Sequence, residues 1–141
     1  MNRPVSEPKD GLPRCQPGDL LRRAAPLSGP KAAARIAALR AASEGLVVSD
    51  LTRMECLVGP LKSGDLAAAA DFAAFFESAD VQVLPMTAAV FDRAAAIRAG
   101  HGFKPLDALH LAAAVMHGCT LFLTNDTRLS SFPDIPVEVL T

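Results

Sequence analysis

From residue 31 onward the apolar positions follow two alternating rhythms, one of period 3.6 and one of short continuous runs. Pro30 suits a first helical position, and 31–43 is Ala-rich with Ile36 and Leu39 on one face and Gly45 as its cap. Leu46-Val47-Val48 is a short buried-strand pattern. The stretch 49–57 then suits a short helix stopped by Gly59-Pro60. Ser63 can cap a helix over 65–78, with Leu66, Ala69, Phe72 and Phe76 at helical spacing. A strand over 81–84 precedes Thr87, which caps a helix over 88–99 with Val90, Phe91, Ala94 and Ile97 inward and Gly100 at its end. A loop over 101–105 leads into a helix over 106–117 closed by Gly118, and strands over 120–124 and 137–140 follow. Strands separated by helices predict an α/β fold, a largely parallel sheet covered on both faces.

Residues 1–30 break this rhythm. They hold Pro4, Pro8, Pro13, Pro17, Pro26 and Pro30, six of the 11 prolines, and no aromatic residue. Proline removes ladder donors and fixes φ, so no central strand is expected there. The expected organisation is a divergent, poorly ordered segment over 1–29 followed by one domain over 30–141.

Composition narrows the function classes. A chain of 141 residues that is 50% hydrophobic can bury a sizeable core. No apolar run approaches the roughly 20 residues of a membrane span, and 1–20 has no continuous apolar stretch of the secretory kind. The expected setting is therefore soluble and cytoplasmic. Cys15, Cys56 and Cys119 are odd in number, widely spaced and free of any CxxC, which speaks for buried thiols over a zinc or disulfide framework. Net charge is −1, and Trp and Tyr are absent. A nucleic-acid ligand would get no help from the overall field and would have to be held by metal or by local Lys and Arg.

Three carboxylates stand out by position. Glu55 lies shortly after the strand pattern 46–48, Asp107 opens the helix 106–117, and Asp126 follows the strand 120–124. Sites in open α/β sheets form outside the carboxyl ends of strands. Converging Asp and Glu supply the hard oxygen donors that Mg²⁺ takes. Each acid also has a structural explanation. Thr52-x-x-Glu55 matches a capping box, Asp107 suits the helix dipole, and Asn125-Asp126 can form an Asx-turn. His110, one turn after Asp107, reads as a histidine supporting the site or edging the core; Asp50 reads as a first-turn acid; His101 and His117 show no partner spacing.

The surrounding words carry more than the acids. Asp50-Leu51-Thr52-Arg53-Met54-Glu55-Cys56-Leu57-Val58, Lys104-Pro105-Leu106-Asp107-Ala108-Leu109-His110-Leu111-Ala112 and Leu123-Thr124-Asn125-Asp126-Thr127-Arg128 occur in that order. Together they resemble the PIN-domain family, specifically VapC-type toxins of type II toxin–antitoxin pairs, over about residues 30–141. The resemblance implies a parallel sheet with Glu55, Asp107 and Asp126 as catalytic acids holding Mg²⁺ or Mn²⁺, supported by Thr124 and Asn125. It implies endonucleolytic hydrolysis of RNA of the tRNA or rRNA class by a metal-activated water. Lys104 and Arg128 flank the acids and can position phosphates. A cognate antitoxin and a homodimer are implied partners.

One part of the family pattern is missing. Members begin with a hydrophobic strand that ends in Asp, lies mid-sheet and supplies the first metal ligand; Asp10 and Asp19 follow no apolar run. The expectation is a sheet lacking a normal first, central strand, and low or absent activity. Either the segment is a divergent end or the reading frame shifted upstream of about residue 30. Codons for Gly18-Asp19-Leu20-Leu21, read one base later, can encode Val-Ile-Tyr, the usual continuation of that strand. The second reading of the function is accordingly an impaired remnant that only binds an antitoxin, or has no function.

Overall fold

The computed structural model describes residues 20–22 and 30–140. Their elements run β1 (Leu20–Arg22), α1 (Pro30–Ala41), β2 (Leu46–Ser49), α2 (Asp50–Ser63), α3 (Leu66–Glu77), β3 (Val81–Leu84), α4 (Ala88–His101), α5 (Pro105–Met116), β4 (Phe122–Thr124), a 3₁₀ turn (Thr127–Ser131) and β5 (Val137–Val139). All strand pairs are parallel, in the order β3-β2-β1-β4-β5. The α/β expectation with a helix-flanked parallel sheet holds.

The sheet is not open at its centre, which corrects the expectation of a missing strand. Leu20–Arg22 lies between β2 and β4, with Leu20 opposite Leu46, Leu21 opposite Val47 and Phe122, and Arg22 opposite Leu123. The inner edges of β2 and β4 each present backbone N–H and C=O groups that must be paired, and three extended residues suffice to span both ladders. Proline had argued against a strand here, but Leu20–Arg22 contains none. The rest of the expected segment over 1–29 lies outside the described residues.

Strand alternation divides the core. Val47 and Phe122 point to the face covered by α4 and α5, where they join Val90, Ala94, Leu111 and Ala112. Leu46, Val48 and Leu123 point to the other face, with Ala32 and Leu39 of α1, Cys56 of α2 and Phe76 of α3. Every residue from Asp107 to Ala114 is buried, so α5 is enclosed on all sides. Its small alanines let the sheet and α4 approach it closely.

Several boundaries differ from the sequence reading, each for a local reason. The helix over 49–57 continues to Ser63 through Gly59-Pro60. It ends at Gly64, in the left-handed conformation at φ 70°, whose N–H bonds Pro60 O. The capping box at its start is Ser49 with Thr52, not Thr52 with Glu55, which frees Glu55 from a capping role. Asp65 rather than Ser63 caps α3. Phe91 is 53% exposed and Leu66 76% exposed, so neither faces the core as its spacing suggested.

Candidate functional site

Because the strands are parallel, their carboxyl ends share one edge, and Ser49 and Thr124 mark it on β2 and β4. β1 ends one residue lower, at Arg22 opposite Leu123. The sequence continues with Arg23 and offers no Asp or Glu between Asp19 and Glu44.

Glu55 sits in the second turn of α2 and meets α5, where His110 Nε2 lies 2.7 Å from Glu55 Oε1. The His110 ring is 2% exposed, so α5 packing fixes the place to which Glu55 is tied. Beside it, Cys56 is buried, and that burial, with the Glu55 charge adding to it, pushes the thiol up to about 11. Asp107 is 5% exposed in the first turn of α5, a helix that opens with Pro105 and whose N-cap, Lys104, makes no side-chain capping bond. A carboxylate in that turn is favoured by the helix dipole.

The β4 exit is organised by hydrogen bonds. Buried Thr124 Oγ1 accepts from the Asp126 N–H at 3.0 Å, so the hydroxyl shapes the turn that carries the acid. Asn125 Nδ2 donates to Leu140 O and ties the same turn to the chain after β5. Asp126 Oδ1 accepts the Arg128 backbone N–H at 2.9 Å, the expected Asx-type arrangement. The Arg128 guanidinium then closes a fork on the same carboxylate, with Nε 3.0 Å from Oδ1 and Nη2 2.6 Å from Oδ2. This hydrogen bonding, followed by the Asp126 charge and more weakly that of Asp107, holds Arg128 above its ordinary pKa. Arg128 therefore stands where the fields of both aspartates meet.

A cavity of about 290 Å³ opens between the α4–α5 turn and the 3₁₀ turn. His101, Phe103, Lys104, Asp107, Arg128 and Leu129 contribute to its lining. It borders Asp107 and the guanidinium that grips Asp126, whereas Glu55 and His110 are not among its walls.

Strand order and helix coverage agree with the family that the chain matches. The family model for the PIN domain matches residues 24–135. The chain belongs to the PIN-domain family. Solved structures with this fold include VapBC2 from Rickettsia felis bound to a DNA fragment from its promoter, 14% identical over 80% of this chain and 87% of that one, with a TM-score of 0.63. A toxin–antitoxin complex from Klebsiella pneumoniae is 20% identical over 83% and 95%, with a TM-score of 0.65. DNA-bound VapBC from Salmonella typhimurium is 18% identical over 86% and 97%, with a TM-score of 0.60. No curated protein matches the chain.

PIN membership raises the question of a divalent cation. The donors are of the right kind, since Glu55, Asp107, Asp126 and Thr124 offer only hard oxygens. Among the described residues no three His, Cys, Asp or Glu side chains are gathered so as to hold a metal ion. Two of the three acids instead meet nitrogen donors of this chain, Glu55 at His110 and Asp126 at Arg128. Neither pair was legible in the sequence: 55 positions separate Glu55 from His110, and nothing in the wording of 124–128 specifies that Arg128 folds back. Among the described residues no helix is long and apolar enough to cross a membrane.

Proposed function

We propose that this PIN domain is a VapC-like toxin-type partner of a toxin–antitoxin pair, directed at RNA of the tRNA or rRNA class, and that its own hydrolysis of RNA is weak. The PIN match and the fold shared with three toxin–antitoxin structures support the class. The observation that carries the second half is the Arg128 fork on Asp126. Family chemistry uses Mg²⁺ or Mn²⁺ to lower the pKa of water and offset charge on phosphate. Here a guanidinium already pairs with one acid, His110 is engaged with a second, and the sequence supplies no acid between Leu20 and Ser43. What remains at the edge suits holding RNA: Lys104 and Arg128 are cations beside an enclosed carboxylate. An antitoxin and a second copy of the chain are the partners this reading assigns, in the cytoplasm.

The test is cleavage of tRNA and rRNA fragments with Mg²⁺ or Mn²⁺ by the purified chain and by Asp107→Asn. The reading expects the two to cleave at the same background rate. Divalent-dependent cleavage that Asp107→Asn abolishes would overturn the proposed impairment and restore Glu55, Asp107 and Asp126 as working catalytic acids.

A further inference from the structure

We infer that the cavity at the α4–α5 turn is a subsite for one unpaired nucleotide, with its base stacked on His101 and its phosphate held by Lys104 and Arg128. This rests on the RNA-directed reading above and adds an aromatic binding element to the cavity that Asp107 borders. The ring of His101 is parallel to that of Phe103, at 8° and 5.4 Å between centroids. Phe132 meets both rings edge-on, at 5.4 Å from His101 and 6.2 Å from Phe103. Phe103 and Phe132 are buried and His101 is exposed, so two fixed rings support a third at the surface.

The backbone holds that platform in place. Gly102 ends α4 in the left-handed conformation at φ 71°, and its N–H bonds Arg98 O. Arg98 Nε donates to Phe103 O at 2.9 Å from the same turn. The chain therefore reverses directly after His101, and α5 begins at Pro105 with Lys104 at the cavity wall. A rigid aromatic ring at a surface loses little entropy on stacking a base, and every base offers a π-face to it.

The cations are placed for the rest of the nucleotide. Among the described residues Lys104 has no ion-pair partner, and Arg128 spends Nε and Nη2 on Asp126 while Nη1 makes no bond. One guanidinium can thus bridge Asp126 and a phosphate oxygen. A volume of about 290 Å³ lies at the lower end of small-molecule sites, which run to roughly 300–1,000 Å³, and suits one nucleotide better than a stacked pair. A base inside a duplex has both faces covered by its stacked neighbours, so the subsite selects single-stranded RNA.

The experiment measures anisotropy of a short end-labelled single-stranded oligoribonucleotide, in EDTA so that cleavage does not intrude. His101→Ala should weaken binding about five-fold or more, and His101→Phe should stay within about two-fold of the original, because it keeps the ring. Lys104→Gln should weaken binding and reduce the salt dependence by about one phosphate contact. An unlabelled blunt duplex of equal length should compete poorly. If the original chain binds the oligoribonucleotide but His101→Ala binds it equally well, the subsite is refuted while the RNA reading stands. If the original chain does not bind it at all, both are refuted.

Discussion

Phe122→Ala tests the arrangement that places two of the acids. Phe122 is fully buried in β4, and its ring packs in the cluster with Leu111, Ala112 and Leu129. It therefore stands behind both α5, which carries Asp107, and the β4 exit, which carries Asp126. Removing a buried ring costs about 3–5 kcal/mol, depending on how far the surroundings collapse. Collapse is restricted here. β4 is held by ladders to β1 and β5, and Ala108, Ala112 and Ala113 have no side-chain length with which to fill a void. The expected loss is thus toward the upper end, about 4–5 kcal/mol, a large part of the roughly 5–15 kcal/mol of a whole domain. With a urea m-value of about 1.5 kcal/mol/M, the unfolding midpoint should fall by about 3 M. Phe91→Ala is the internal control: its ring is exposed, and the change should stay within about 0.5 kcal/mol. A Phe122→Ala midpoint within about 0.5 M of the original, or a larger effect at Phe91, would refute this account of the core.

Other outcomes follow from local geometry. Ser49→Ala removes the buried hydroxyl that caps α2 and should cost about 0.5–2 kcal/mol by chemical denaturation; no change would mean that Thr52 alone satisfies the helix start. Gly100→Ala and Gly102→Ala should differ in sign in the same measurement. Both positions have open space for a Cβ, but only Gly102 has positive φ, so Ala should cost about 1–2 kcal/mol there and stabilise by roughly 0.5–1 kcal/mol at Gly100. Cys56, with its thiol pushed up to about 11, should resist alkylation at pH 8 in the folded chain and react once unfolded, followed by mass spectrometry of the labelled peptide. Since the folded value lies above the unfolded 9.0, the stability linked to the neutral thiol is complete below pH 9 and is lost between 9 and about 11.

Most of the architecture was readable because it rests on local rules. Runs such as Val81–Leu84 and the Thr87 cap obey period and capping chemistry that act within a few residues. Errors arose where distant contacts override propensity. Pro60 is tolerated inside α2 because a proline costs one hydrogen bond, and α3 packs against the helix that would otherwise end there. Leu20–Arg22 has too few residues to show a period, and only the two waiting ladders of β2 and β4 make it a strand.

By itself the sequence determined the alternation of helix and strand, the parallel sheet and the order of the motifs that carry Glu55, Asp107 and Asp126. Those follow from hydrophobic period, turn residues and motif spacing, all of which are short-range. The tertiary structure alone decided what each acid touches. His110 of α5 meets Glu55 of α2, and the α4–α5 turn shares a cavity with Arg128, only in the folded chain. Ion pairs and cavities depend on distances of a few ångströms between segments far apart in the chain, and no local pattern encodes such distances.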